Sequence, residues 1–367
     1  MNGAALNEVK RVKSFHSSLL LLLMVFCSCN TEVDLYTDYK EIPIVYGMID
    51  IQADTTFIKI NRAFANDEVN PLNAYGMALI SDSSNYPGKL DAYIVELKSS
   101  HGQAFQPTGR KLVLDTLTIH NKEEGVFFSP HQKLYYTTER FNAGSGADKY
   151  HYKLYVVTPT FDTVTSETSV VNDDISISTP STDYYTNLPA LEFSYVSNTA
   201  LSTMDFAATE EAVLYEIRMR FNYWERHGDQ PLEKKEVSWS FGTKMLSEYE
   251  VVNGYHNIYR LYYPSNILFL NMSDAIGNDT VGNVNQLNVT RYMGDVDVFV
   301  SAAGEVFNNY YQLSYALHND PGVAIEFSNI EGGYGLFSSR ILVCLQAKLS
   351  GRAKYDLFSQ PWGFRER

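Results

Sequence analysis

With 367 residues, 45% of them hydrophobic and 20% charged, the chain can fill one to three packed domains, two being expected, and is not a disordered coil. Residues 1–28 carry +2 (Lys10, Arg11 and Lys13 against Glu8), so the total of −14 leaves about −16 on the rest. That acidic body repels nucleic-acid phosphate, which argues against nucleic-acid binding, and gives no electrostatic pull towards an anionic membrane.

The N-terminus reads as an export signal. Basic Lys10, Arg11 and Lys13 precede an unbroken apolar run from Leu19 to Phe26. The run is too short to span a bilayer, which takes about 20 residues, and suits a secretory h-region. It ends in Phe26-Cys27-Ser28-Cys29, which resembles the bacterial lipobox, with Phe26 where Leu is usual. Small Ser28 before Cys29 makes Cys29 the expected lipid-attachment residue, with residues 1–28 removed. The alternative is an ordinary signal cut near Ser28 without lipid. Stable anchoring takes more than one acyl chain, and lipoproteins resembling this pattern carry three. The acidic stretch 29–41 is then a tether. Acidic residues after a lipidated cysteine resemble a surface-export signal of Bacteroidota, which implies an outer-membrane, cell-surface location.

Short strands follow. Ile42 to Ile51, Thr55 to Asn61, Tyr93 to Lys98, Leu112 to Leu114, Gly125 to Phe128, Lys149 to Thr158 and Phe161 to Val171 read as strands, the last two joined through Thr158-Pro159-Thr160. With 27 Tyr and 20 Phe available for half-buried pleated faces, residues 42–179 are expected to form an Ig-like β-sandwich. Ala63 to Pro87 lacks periodicity and reads as a long loop. Thr179 to Asp183 marks a boundary.

Residues 185–367 are expected to form a second β-rich domain with one or two helices. Val213 to Tyr223 alternates at period two and can pair with Glu236 to Phe241 across His227-Gly228-Asp229. Ser265 to Ile276 reads as a short helix, and Asp295 to Val300 as a strand. Residues 302–317 read as the clearest helix, with Val306, Tyr310, Leu313 and Leu317 on one side. Leu336 to Lys348 is the last strand. The fold class is therefore mainly β.

Several patterns occur together: the lipobox, the strand Ile44 to Ile49, the Ig-like set of strands, the Tyr-rich Glu305 to Leu317, and Ser328-Asn329-Ile330 followed by the glycine-rich turn that ends Gly335-Leu336-Phe337. The combination resembles a Bacteroidota lipoprotein family catalogued as domain of unknown function 4249, with nothing to match from Asp229 to Val289. The resemblance implies a neighbouring TonB-dependent outer-membrane receptor and a role in nutrient uptake. It brings no catalytic residues with it. Gly332, Gly333 and Gly335 read as a tight turn, because the segment lacks the Lys-Ser/Thr of a phosphate loop.

Catalytic and metal signatures are absent from the sequence. No His-x-x-x-His or Cys-x-x-Cys occurs, and no Gly-x-Ser-x-Gly elbow. Neither an enzyme, a metal site nor a cofactor is expected. Asn271 to Asp279 reads as a solvated turn in preference to a calcium loop. Cys344, in the apolar run Ile341 to Leu345, reads as a buried core residue. Aromatic clusters give the ligand hint: Tyr184, Tyr185, Tyr223, Trp224, Tyr262 and Tyr263, with Tyr184, Tyr185, Tyr262 and Tyr263 expected to be exposed. The expected function is a non-enzymatic envelope lipoprotein serving uptake of a glycan or peptide. The alternatives are a structural or adhesive surface subunit, pairing through an edge strand such as Asp54 to Asn61, and a hydrolase with a site formed only in space.

Overall fold

The computed structural model describes residues 42–63, 76, 78–80, 84–125, 128–160, 162–195, 200–248, 250–251, 258–276, 288–319 and 327–366. The signal segment, Cys29, the tether, most of the Ala63 to Pro87 loop and Gly277 to Asp279 lie outside the described residues.

The fold is mainly β. The longer strands, in chain order, are β1 (Pro43–Ile49), β2 (Thr56–Arg62), β3 (Asp91–Ser100), β4 (Gln106–Val113), β5 (Asp115–Ile119), β6 (Gln132–Thr137), β7 (Asp148–Val157) and β8 (Thr163–Ser169). They continue as β9 (Ser176–Thr179), β10 (Leu201–Ala207), β11 (Leu214–His227), β12 (Glu233–Met245), β13 (Ile258–Pro264), β14 (Val289–Ala303) and β15 (Tyr334–Leu349). The helices are α1 (Ile267–Ile276), α2 (Glu305–Asn319) and α3 (Gly351–Phe358). No helix among the described residues is long and apolar enough to cross a membrane.

A ten-stranded sheet runs in the order β12-β11-β14-β15-β1-β2-β6-β5, with the short pieces Ala190–Leu191 beside β15 and Phe364–Arg365 beside β14. A five-stranded sheet is built on β4-β3-β7, with β8 also paired to β7, and a four-stranded sheet on β9-β10-β13. The strands follow from period-two patterning. In β1, Val45, Gly47 and Ile49 are buried while Tyr46 is exposed.

Two hydrophobic cores lie on the same side of β15. Phe337 joins Val45, Ile58, Ile60, Tyr135, Ile94, Leu154 and Val164, where β15, β1, β2 and β6 face the five-stranded sheet. Ile341, Val343 and Ala347 join Met219, Phe221, Val298, Phe206, Tyr263, Leu268 and Leu357, where the other half of the long sheet faces the four-stranded sheet, α1 and α3. Residues from both sides of the Thr179 to Asp183 boundary thus share one sheet. The two-layer arrangement built on β1–β8 is completed by a strand from near the C-terminus.

That completion occurs at a parallel seam between two long strands, the only one among the described residues. Residues Ile44 to Ile49 of β1 pair in register with Tyr334 to Ser339 of β15. The glycine-rich turn serves this seam. Gly332 and Gly335 take positive φ (78° and 125°), and a Cβ on Gly335 would lie 1.9 Å from the Val45 carbonyl oxygen. The preceding Ser-Asn-Ile is a latch. The Ser328 hydroxyl accepts from the amides of Ile330 and Gly335. The Asn329 side chain mimics a strand, accepting from the Phe337 amide at 2.9 Å and donating to its carbonyl at 2.7 Å. Its backbone carbonyl accepts from Ser166 of β8.

Several expectations change. Helix α2 starts at Glu305, because Ala302 and Ala303 still belong to β14. Helix α1 starts at Ile267, and α3, capped by the Ser350 hydroxyl accepting from the Ala353 amide, has no counterpart in the sequence reading. Strand β2, expected as an edge, is interior, with β1 on one side and β6 on the other. Cys344 is exposed, not buried, because it falls on the outward phase of β15, opposite Phe299. Partial burial and the nearby Asp297 carboxylate hold its thiol above the usual range. The hairpin of β11 and β12 forms as expected, from Leu214↔Met245 to Glu225↔Glu233.

Candidate functional site

The outer face of the long sheet carries helix α2. After β14 ends at Ala303, the Asn308 amide bonds back to the Gly304 carbonyl and the chain turns onto β15. Asn308 is buried in α2, whereas Val306, Tyr310 and Leu313 are only half-buried. A helix that lies over a sheet without closing on it leaves a groove. Here the groove has a volume of about 580 Å³. Its floor is Ile42, Ile44 and Tyr46 on and before β1, Ala63 after β2, and Tyr334 and Gly335 at the start of β15; its wall is Tyr310, Leu313 and Ser314 of α2, with Phe327 at one end. That volume falls in the range of small-ligand sites, which are mostly apolar with a few placed polar groups.

Tyr46 and Tyr334 line this groove and keep 47% and 49% of their surface exposed. Tyrosine suits a ligand-binding groove, being flat and apolar with a hydroxyl at the tip. The backbone under them is fully used: β1 is paired on one side to β2 and on the other to β15. The floor therefore presents side chains only.

Two polar groups flank the floor. Asn61 pairs with Ile44 and Lys59 with Tyr46 in the β1–β2 ladder, so both point to the groove face. The Asn61 Oδ1 is buried and accepts no hydrogen bond among the described residues. The Lys59 ammonium reaches the Gln132 Oε1 at 3.4 Å. Burial and the charge of Lys122 bring Lys59 down to about 8.

The six aromatic residues singled out from sequence are not brought together, and none lines the groove. Tyr184 and Tyr185 are exposed (93% and 91%), edge to face at 5.5 Å. Their turn is fixed by Asp183, whose carboxylate accepts from the Tyr185 and Thr186 amides and pairs with Lys348 at 2.8 Å. Lys348 and these donors hold that carboxyl at about 2. Tyr262 is exposed on β13, but Tyr263 is fully buried, its hydroxyl donating to the Glu192 carbonyl and pushed up in pKa by that burial. Tyr223 is buried against Phe221 and Phe364, and Trp224 is half-buried over Gly294. Adjacent residues of a strand face opposite sides, so a Tyr-Tyr or Tyr-Trp pair puts one ring inside.

Sequence reasoning placed Tyr310 on the inward side of its helix but did not find Tyr46 or Tyr334 as site residues. No local signal marks them, because the groove is assembled from three distant segments. Elsewhere, the Nδ1 atoms of His120 and His131 meet across the β5–β6 hairpin. Among the described residues, no group of three or more His, Cys, Asp or Glu is placed to hold a metal ion. No protein-family model matches the sequence, and comparison with curated proteins finds no match.

Proposed function

We propose that this protein is a non-enzymatic envelope lipoprotein that holds a glycan-like ligand in the tyrosine groove on behalf of an outer-membrane uptake system. The groove between β1, β15 and α2 carries this reading. It joins half-exposed tyrosines and a volume of about 580 Å³ in one concavity, and Asn61, beside its floor, holds a buried acceptor without a hydrogen-bond partner among the described residues. Lipid on Cys29, a place at the outer-membrane surface and a TonB-dependent receptor as partner belong to the same proposal. The lipid and the location are supported by the lipobox-like N-terminus, and the receptor partner by the family resemblance. Membership of the domain of unknown function 4249 family is supported by the Ser328 to Phe337 segment, whose motif residues all work at the β1–β15 seam. The rival reading, a strand-pairing assembly subunit, loses the edge it named, since β2 is interior.

The test is calorimetry of the full chain against oligosaccharides found positive on a glycan array. Removing one stacking ring, Tyr334→Ala or Tyr310→Ala, is expected to weaken binding by about tenfold, the scale of a central aromatic contact. Tyr184→Ala, on the fixed turn, should leave the same affinity unchanged. An array with no positive glycan, or unchanged affinity in both groove variants, rejects the groove as the binding site.

A further inference from the structure

We propose that the ligand of this groove is an acidic saccharide whose carboxylate is held by Lys59 while one of its hydroxyls donates to Asn61. The inference rests on the groove reading above and names the ligand class.

Lys59 differs from six lysines of the fold that form ion pairs. Lys89, Lys98, Lys149, Lys235, Lys348 and Lys354 each have a carboxylate within ion-pair distance. Lys59 has none among the described residues, although it is half-buried and stands beside Tyr46 on the groove face. A partly desolvated ammonium without a counter-ion costs stability, and the cost is offset when an anion arrives. Two positions along β2, next to Ile44 and Ala63, the Asn61 Oδ1 is a buried acceptor lacking a donor among the described residues. Such an orphan carries a penalty that a ligand hydroxyl would remove.

The site thus asks for three things in one molecule: a flat apolar face for Tyr334, a hydroxyl or amide donor, and an anion. A sugar acid has all three. An acidic peptide has the last two, but it gains most of its affinity on a sheet by adding a strand, and both edges of β1 are already paired. On a body of about −16 charge, capture of an anion needs a local cation placed for it. The titratable groups facing Lys59 are Tyr46 from β1 and Lys122 from the β5–β6 connection, while Gln132 on β6 is neutral.

The experiment titrates the full chain with a panel of galacturonate, glucuronate and mannuronate oligosaccharides. Each is measured beside its carboxyl-reduced counterpart and beside a glutamate tripeptide, at pH 7.5 and 9.5. The expected result is that at least one acidic oligosaccharide binds tenfold or more tightly than its reduced form at pH 7.5. This preference should shrink by several-fold at pH 9.5, as Lys59 loses its proton near 8. Lys59→Met should bind both forms alike at both pH values. Lys59→Arg, charged throughout, should keep the preference at pH 9.5 and shows that loss in the Met variant is not misfolding. Equal binding of acidic and reduced forms by the wild type overturns the acidic assignment and leaves the groove reading standing. Tighter binding of the tripeptide overturns the saccharide class. No binding by any member of the panel, acidic or reduced, overturns both.

Discussion

Gly335→Ala is expected to destabilise the protein by at least about 3 kcal/mol, placing it among the most damaging single substitutions the fold can receive. At φ 125° the position already lies outside what an L side chain adopts. The larger problem is contact: the added methyl would sit 1.9 Å from the Val45 oxygen and 2.8 Å from its carbonyl carbon. Those are backbone atoms of the paired strand, so no rotamer change relieves them. Either β1 or β15 must leave the ladder that runs from Ile44↔Tyr334 to Ile49↔Ser339. This seam holds the strands of the first half to those of the second, and Tyr334 with it forms the groove floor. Gly332→Ala is the control. Its φ is also positive, at 78°, but the nearest atom to a new Cβ is 3.7 Å away, so only the conformational cost of about 1 kcal/mol applies. Urea unfolding of both variants checks the contrast. Equal costs would show that the close approach to Val45 is relieved in solution.

The strands were legible where the chain alternates cleanly. β1, β3, β11 and β15 are long enough for burial on every second residue to mark them, and the β11–β12 hairpin follows from the His227-Gly228-Asp229 turn. Phase was harder to read than presence. Cys344 sits in a run of apolar neighbours, and only the register against Phe299 places it outside. Tyr263 was expected to be exposed with Tyr262, although strand geometry requires one of the two to point in. Position within the sheet was not legible at all. Asp54 to Asn61 carries charged and polar residues suited to an edge, yet β6 covers one side of β2 and β1 the other. Helix α3 is only eight residues, too short for a periodic signal to stand out. The groove needs residues near 44, 310 and 334 to meet, and no spacing rule in the chain connects them.

Arg291→Met tests the other half of the fold, and its expected cost is about 3–5 kcal/mol at pH 7. Arg291 is 2% exposed. Its Nε donates to Glu225 across the β11–β14 ladder at 2.6 Å, and its Nη1 donates to the Trp362 carbonyl at 2.8 Å. Its amide also donates to the Gly363 carbonyl, so Arg291 makes both side-chain and backbone bonds to the C-terminal segment that pairs with β14. Burial pushes the Glu225 carboxyl up, but the His227 hydrogen bond and the Arg291 charge outweigh it and hold the group below its ordinary value. A carboxylate with a lowered folded pKa contributes stability that is present above the unfolded value, near 4.5, and is lost as pH falls through the folded one. Removing Arg291 reverses the balance. Burial then dominates, the carboxyl rises above its unfolded value, and the variant gains relative stability as the solution is acidified. The penalty measured by urea unfolding should therefore be smaller at pH 5 than at pH 7. Glu225→Gln added to Arg291→Met should recover a large part of it, since the buried charge is gone. A penalty below about 1 kcal/mol, or one that does not change with pH, would mean that Glu225 finds water or another partner when the guanidinium is absent, and that the C-terminal segment is held by Trp362 and Phe364 packing alone.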